Sequence, residues 1–207
     1  MRARVLRVFM ALRRCTMRRL QLLVALVLVG QWLGGQTLDD FFNGEALQEV
    51  RIGMAPADWA SIKEKYLENN YYRCDFEWKG FRVEGIGMRS RGSQSRSPIK
   101  PSIGLDFGRY TSSQRFLGLK TLVLRNLNQD ASMMHERLAE SLFRRAGLVA
   151  SREAHARLYV NGEYVGVYLL VEPVDEHMLR TRVGEDSGYL YEVNDTSPNL
   201  SRVSGAD

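Results

Sequence analysis

The stretch "EAHARLYVNGEYVGVYLLVE", residues 153–172, consists of two apolar runs joined by Asn161-Gly162. Asn-Gly tolerates the two positive φ angles of a tight hairpin turn, so the segment reads as a β-hairpin. In its second arm Val165, Val167, Leu169 and Val171 alternate with Tyr164, Tyr168, Leu170 and Glu172, the period of a strand with two distinct faces. Pro173 cannot donate a ladder hydrogen bond and ends the run.

Working outward, "QEVRIGM" (48–54) alternates like a strand, and "YRCDFEWKGFRVEGIGM" (72–88) reads as a hairpin turning at Lys79-Gly80. Between them, Pro56 and Asp58 mark a helix start, with Trp59, Ile62 and Tyr66 on one stripe. "SIGLDF" (102–107) and "GLKTLVLRN" (118–126) supply further strands. "DASMMHERLAESLFRRAG" (130–147) carries the clearest helix signal: Asp130 or Ser132 caps it, Leu138 and Leu142 share a face, and Gly147 closes it. "VDEHMLRTRVG" suggests a short helix and "GYLYEV" a last strand. This order, strands, one central helix, more strands and a last helix, predicts an α+β fold with a largely antiparallel sheet and a central helix.

The formal charge of +5 comes from 29 basic and 24 acidic residues. Seven of those basic residues are arginines within residues 1–35, ahead of the apolar run "LQLLVALVLVGQWLGG" (20–35). A basic start before a short apolar run is the layout of a secretory signal or an uncleaved signal anchor, here assigned to residues 1–36. Removing those seven leaves 22 basic residues against the 24 acids. A domain of about −2 lacks the net positive charge on which nucleic-acid binding rests, so residues 37–207 are not expected to bind DNA or RNA. A membrane contact would come only through the leader. Cys15 lies in the leader and Cys74 stands alone after it, so the exported domain relies on its core rather than on an internal disulfide. His135, His155 and His177 are scattered without metal-ligand spacing. Asn194-Asp195-Thr196 and Asn199-Leu200-Ser201 match the glycosylation pattern, which bears only on a eukaryotic secretory route.

One loop concentrates charge. "GMRSRGSQSRSPIKP" (87–101) holds three arginines, a lysine, two glycines and four serines between two strands. On composition alone it is a solvated surface loop or a cradle for phosphate. It lacks the spacing of a P-loop.

Several phrases, in order, resemble the spore-coat-H (CotH) protein kinase family. They are Gly87, Arg89 and Arg91-Gly92-Ser93, then Lys100-Pro101-Ser102 and Asp106-Phe107. Next come Leu122 to Asn126 as an L-x-L-x-N strand, Asp130 to Leu138 with Ala146-Gly147, and "YVNGEYVGVYLLVEPVDEHML" (159–179). The resemblance spans residues 48–193. The chain departs from it in having Ile99 before Lys100, His135 where arginine is usual, and Glu192 where many members have lysine.

The resemblance implies an exported atypical kinase that binds ATP with Mg and phosphorylates Ser/Thr of surface or coat proteins. It implies the first lobe and hinge of such a kinase. The family's catalytic aspartate and its W-D-x-D segment lie later in the domain, and nothing after Glu172 matches them. The catalytic residues are therefore expected beyond this chain, and a non-catalytic adhesion or scaffold module of kinase origin is the alternative reading. For the nucleotide, the resemblance points to Arg89, Arg91 and Lys100 as phosphate cations. Glu172 to Val174 would be the hinge meeting adenine, unless Glu172 merely ends an edge strand in a local salt bridge. On a helix wheel Glu136 falls about 160° from Leu138 and His135 about 60°. That arrangement predicts His135 toward the site or core and Glu136 in solvent.

Overall fold

The computed structural model of the chain describes residues 35–185, 187, 188, 190–193 and 200–202. Residues 1–34, most of the segment read above as a leader, and Asn194 and Asn199 of the two glycosylation patterns lie outside the described residues. No helix among the described residues is long and apolar enough to cross a membrane.

Helix α1 (Leu38–Phe41) precedes β1 (Gln48–Met54), α2 (Pro56–Glu64), β2 (Tyr72–Trp78) and β3 (Phe81–Ser90). Then come β4 (Ile103–Asp106), β5 (Thr121–Arg125), α3 (His135–Arg145), β6 (Glu153–Val160) and β7 (Glu163–Val171). A short α4 (Glu176–Met178) runs into a π-type turn over Leu179–Val183, and β8 (Tyr191–Val193) pairs with β9 (Leu200–Arg202) as a separate ribbon.

Strands β1 to β7 close into a barrel in the order β1-β2-β3-β4-β5-β7-β6. Its pairings are antiparallel except at the seam, where β1 runs parallel to β6 with Val50 opposite Leu158 and Ile52 opposite Val160. This corrects the sequence expectation of an α+β fold resembling a kinase first lobe. The architecture is a closed mixed barrel with few helices, and α3 is not its centre, since α3 buries no residue. A closed barrel fills its interior with its own inward side chains and leaves no slot for a central helix.

Those side chains come from alternate positions. In β1, Gln48, Val50 and Ile52 point inward while Glu49, Arg51 and Gly53 are exposed. The predicted turns are present: Lys79-Gly80 and Asn161-Gly162 all have positive φ, as a two-residue hairpin of this type requires. In β7, however, the expected alternation breaks. Val165 is an extra residue between the Leu158–Gly166 and Tyr159–Tyr164 pairs. It packs on the main core with Tyr168 and Leu170, while Leu169 and Val171 join Val123 in a second, smaller cluster. A bulge shifts the faces by one residue.

One part of the interior is aromatic. Phe116, on the turn between β4 and β5, lies 4.9 Å from the Phe41 ring, 4.7 Å from Phe76 and 5.4 Å from Phe107, by centroids. Gln48 ties this cluster to α1: it accepts from the Trp78 indole at 2.9 Å and donates to the Asp40 carbonyl at 3.0 Å. Cys74 is buried in the same core, where burial and the neighbouring Asp75 push its thiol up to about 12. It is an inert packing residue.

Because Phe116 touches rings from α1, β2 and the end of β4, Phe116→Ala should cost about 3–5 kcal/mol of unfolding free energy. Urea denaturation checks this, and a loss below about 1 kcal/mol would mean that the cluster is not the core.

Candidate functional site

The basic loop, the end of β5 and the start of α3 enclose a cleft of about 1020 Å³. Arg89, Arg91, Arg96, Arg125, His135 and Glu136 all line it. The predicted residues Arg89, Arg91 and His135 are thus brought together, and Arg96, Arg125 and Glu136 join them.

The loop leaves β3 with a last rung, Arg91 N–H to the Ser102 carbonyl at 2.9 Å. It then folds back through Gly92, whose φ of 109° suits only glycine. Arg96 pins it down. Its guanidinium donates to the carbonyls of Gly92 at 2.6 Å and of Tyr66 and Glu68 at 3.0 Å each, and to Asn69 Oδ1. Arg89 donates to that same Asn69 oxygen at 2.9 Å and to the Tyr71 hydroxyl at 3.1 Å. Two guanidiniums therefore share one neutral acceptor, and among the described residues neither has a carboxylate partner. Burial and the nearby Arg89 charge both depress the Arg96 pKa. An anion in the cleft would relieve that repulsion.

Asn126, which was not singled out as a site residue, holds the floor together and is 1% exposed. Its side-chain amide donates to the carbonyls of Ser95 and Lys100, 2.8 Å each, and its N–H donates to Ser102 Oγ at 3.1 Å. The sequence signal for it was the asparagine of the L-x-L-x-N strand. Lys100 lies behind this floor and does not line the cleft. Its ammonium donates to the carbonyls of Asn126 and Val167, 2.8 Å each, and sits 4.9 Å from the Tyr168 ring centre. Burial lowers its pKa. Gly166 makes room for it: a Cβ there would come within 3.0 Å of Lys100 Cε.

Helix α3 forms the opposite wall, and its orientation departs from the expectation at Glu136, although His135 does line the cleft. Glu136 is half-buried and pairs with Arg125 at 2.7 Å, whereas the His135 side chain is 80% exposed. Burial raises the Glu136 pKa, while Arg125 and Arg91 pull it down and Glu140 pushes it up. The helix meets the barrel with its charged side. Arg137 donates to the Gly44 carbonyl, and Arg144 to the Ser151 carbonyl and, at 3.3 Å, to Glu153. Polar partners on the barrel wall, not the apolar stripe, set its rotation. The residue at the cap position of α3 is Met134, which makes no side-chain cap; Asp130, one of the two expected caps, reaches in from further back, its Oδ2 accepting from the His135 N–H at 2.8 Å.

Glu172 and Val174 lie outside the residues lining the cleft. The Glu172 carboxylate is fully buried and held by Arg152 at 2.6 and 3.0 Å and by Arg182 at 3.2 Å. Burial opposes its charge, but these arginines hold its pKa below the usual range. Its N–H donates to the Arg152 carbonyl at 2.9 Å, so that group is already engaged within the fold. Val174 is exposed.

A family model described as "CotH kinase protein" matches residues 88–207. The match opens at Met88, at the head of the basic loop, and takes in the cleft residues from Arg89 to Glu136, but not Asn69. The chain belongs to the CotH family. "Inner spore coat protein H" of Bacillus subtilis (strain 168) is 31% identical over 162 residues, which cover 78% of this chain and 43% of that protein. The chain therefore spans less than half of the length of this curated relative.

Glu153 generates a pH prediction. It is buried beneath α3, and burial pushes its carboxyl up to about 7 against the pull of Arg144, with Glu140 and Glu136 adding to the rise. A folded-state pKa above the unfolded value favours the protonated native form. This stability is fully present below about pH 4.5 and is lost as pH rises through about 7. Glu153→Gln should therefore flatten stability across this window and raise it at pH 8, by on the order of 1–3 kcal/mol. Thermal unfolding at pH 5 and pH 8 checks this, and an unchanged pH dependence in the variant would refute it.

Proposed function

We propose that this cleft binds the phosphate groups of ATP, and that the chain supplies this part of a CotH-family protein kinase. The observation that carries the reading is the pair of adjacent guanidiniums, Arg89 and Arg96, sharing one amide oxygen with no carboxylate partner among the described residues. Arg91 and Arg125 line the same space. Phosphoryl transfer depends chiefly on positioning and charge neutralisation, and arginine forks suit phosphate oxygens.

In this reading the Arg125–Glu136 pair presents a cation from β5 while α3 holds it in place. Entry of a phosphate would let Arg125 exchange one oxygen partner for another at little cost. Among the described residues no three His, Cys, Asp or Glu side chains converge as a cation site. Magnesium would therefore arrive with the nucleotide. The acceptor would be Ser or Thr of a coat or surface protein. The relative's name, an inner spore coat protein, supports that location, and the basic, apolar leader supports export.

Arg125 is half-exposed, so Arg125→Gln should leave the fold intact. Arg91→Gln and Arg125→Gln are each expected to weaken ATP binding roughly 10- to 100-fold, the range for a charged hydrogen bond. Calorimetric titration measures this. Wild-type affinity in both variants would sink the phosphate assignment and favour the non-catalytic surface module.

A further inference from the structure

Beside the cleft, the barrel wall carries arginines that the cleft does not use. Strand β3 has no side chain at Gly85 or Gly87, and long side chains from neighbouring segments lie in that space. A Cβ at Gly87 would come within 2.7 Å of Arg109 Cγ and 2.9 Å of Tyr71 Cδ1, and one at Gly85 within 2.8 Å of Arg73 Nη1. The Tyr71 ring meets two guanidiniums, Arg109 at 4.3 Å and Arg89 at 5.5 Å from its centre. Arg73, opposite Gly87 on β2, lies 4.2 Å from the centre of the Tyr110 ring. A strip of Tyr110, Arg73, Arg109, Tyr71 and Arg89 therefore runs over β3 and enters the cleft at Arg89, which lines it. Arg73, Arg109 and Tyr110 are exposed.

We propose that this strip docks an extended acidic segment of a partner protein and leads that segment toward the cleft. Charge complementarity selects the partner. Among the described residues Arg73 and Arg109 form no ion pair, and the carboxylates beside them are engaged elsewhere. Asp75 accepts from Arg82 at 2.8 Å and from the Gly85 N–H at 2.9 Å, Glu84 also pairs with Arg82, and Asp106 accepts from the Gly108 N–H at 3.0 Å. A guanidinium stacked on a ring face keeps its N–H edge free, and that edge fits a carboxylate with two parallel bonds. The rings thus hold the forks in place before a partner arrives. A long polyanion such as nucleic acid would also meet the rest of a domain whose net charge is about −2. A short acidic stretch meets only charges within about 10 Å, one Debye length.

The docking does not depend on the phosphate reading. That the docked protein is the one phosphorylated does rest on it, so the two are measured separately. The probe is a peptide of alternating Glu and Ser, about twelve residues or roughly 40 Å when extended. It is titrated without nucleotide into the full chain, with arginine Nε–H resonances as the readout. Arg73, Arg89 and Arg109 are expected to shift together and saturate, while Arg51, already paired with Glu49, stays in place. Combining Arg73→Gln with Arg109→Gln should raise the peptide concentration needed at Arg89 about tenfold, as for two exposed ion pairs. The same variant should bind ATP like the wild type, because neither residue lines the cleft. Three results would overturn the proposal: no saturable shift at Arg73 and Arg109, shifts confined to Arg91 and Arg125 or to the arginines of the leader, or equal shifts at equal concentration from a single-stranded DNA of the same charge.

Discussion

A buried asparagine organises the cleft. Asn126 ends β5 inside the protein, where each of its polar groups needs a partner. Its amide takes the carbonyls of Ser95 and Lys100, its N–H takes Ser102 Oγ, and its own carbonyl accepts the Lys100 ammonium. Those bonds draw the middle and the end of the basic loop onto one strand terminus. The loop's arginines are therefore held over the cleft rather than left to roam in solvent. Lys100 is part of the same knot: a buried cation satisfied by two carbonyls and a ring face, with a glycine bulge in β7 to admit it. The lysine that sequence reasoning aimed at phosphate is instead holding the floor on which phosphate would rest.

The same logic of polar anchoring explains α3. Helices in globular proteins usually dock through an apolar stripe. This one is fastened by its own Arg137 and Arg144 to acceptors at Gly44, Ser151 and Glu153, and by Arg125 of β5 to its Glu136. Half-buried charge pairs of this kind add little stability by themselves but are strict about geometry. It fixes Glu136 against the cleft, and it leaves Leu138 and Leu142 outside.

What the sequence disclosed follows from how local each signal is. The turns at Lys79-Gly80 and Asn161-Gly162 need only two residues to declare themselves, and Asp130 reaches the His135 N–H across five. Most strands were legible for the same reason. Barrel closure was not, because the parallel seam joins β1 to β6 across more than a hundred residues and carries no adjacent-residue signature. Periodicity located the two sides of α3 correctly but could not say which side meets the protein, since the deciding partners are distant in sequence. At the site, Arg89 and Arg91 were visible as charge in a glycine-bearing loop. Arg96 and Arg125 were not singled out, although both line the cleft.

The central claim is that this cleft is an anion site built from guanidiniums. Arginine Nε–H resonances in a nitrogen-resolved NMR titration with ATP report it most directly. The account predicts that the resonances of Arg89, Arg91, Arg96 and Arg125 shift together and saturate, while Arg51 and Arg82, on exposed strand positions that do not line the cleft, stay in place. Shifts confined to those outer arginines, or no saturable shift at the cleft, would contradict it.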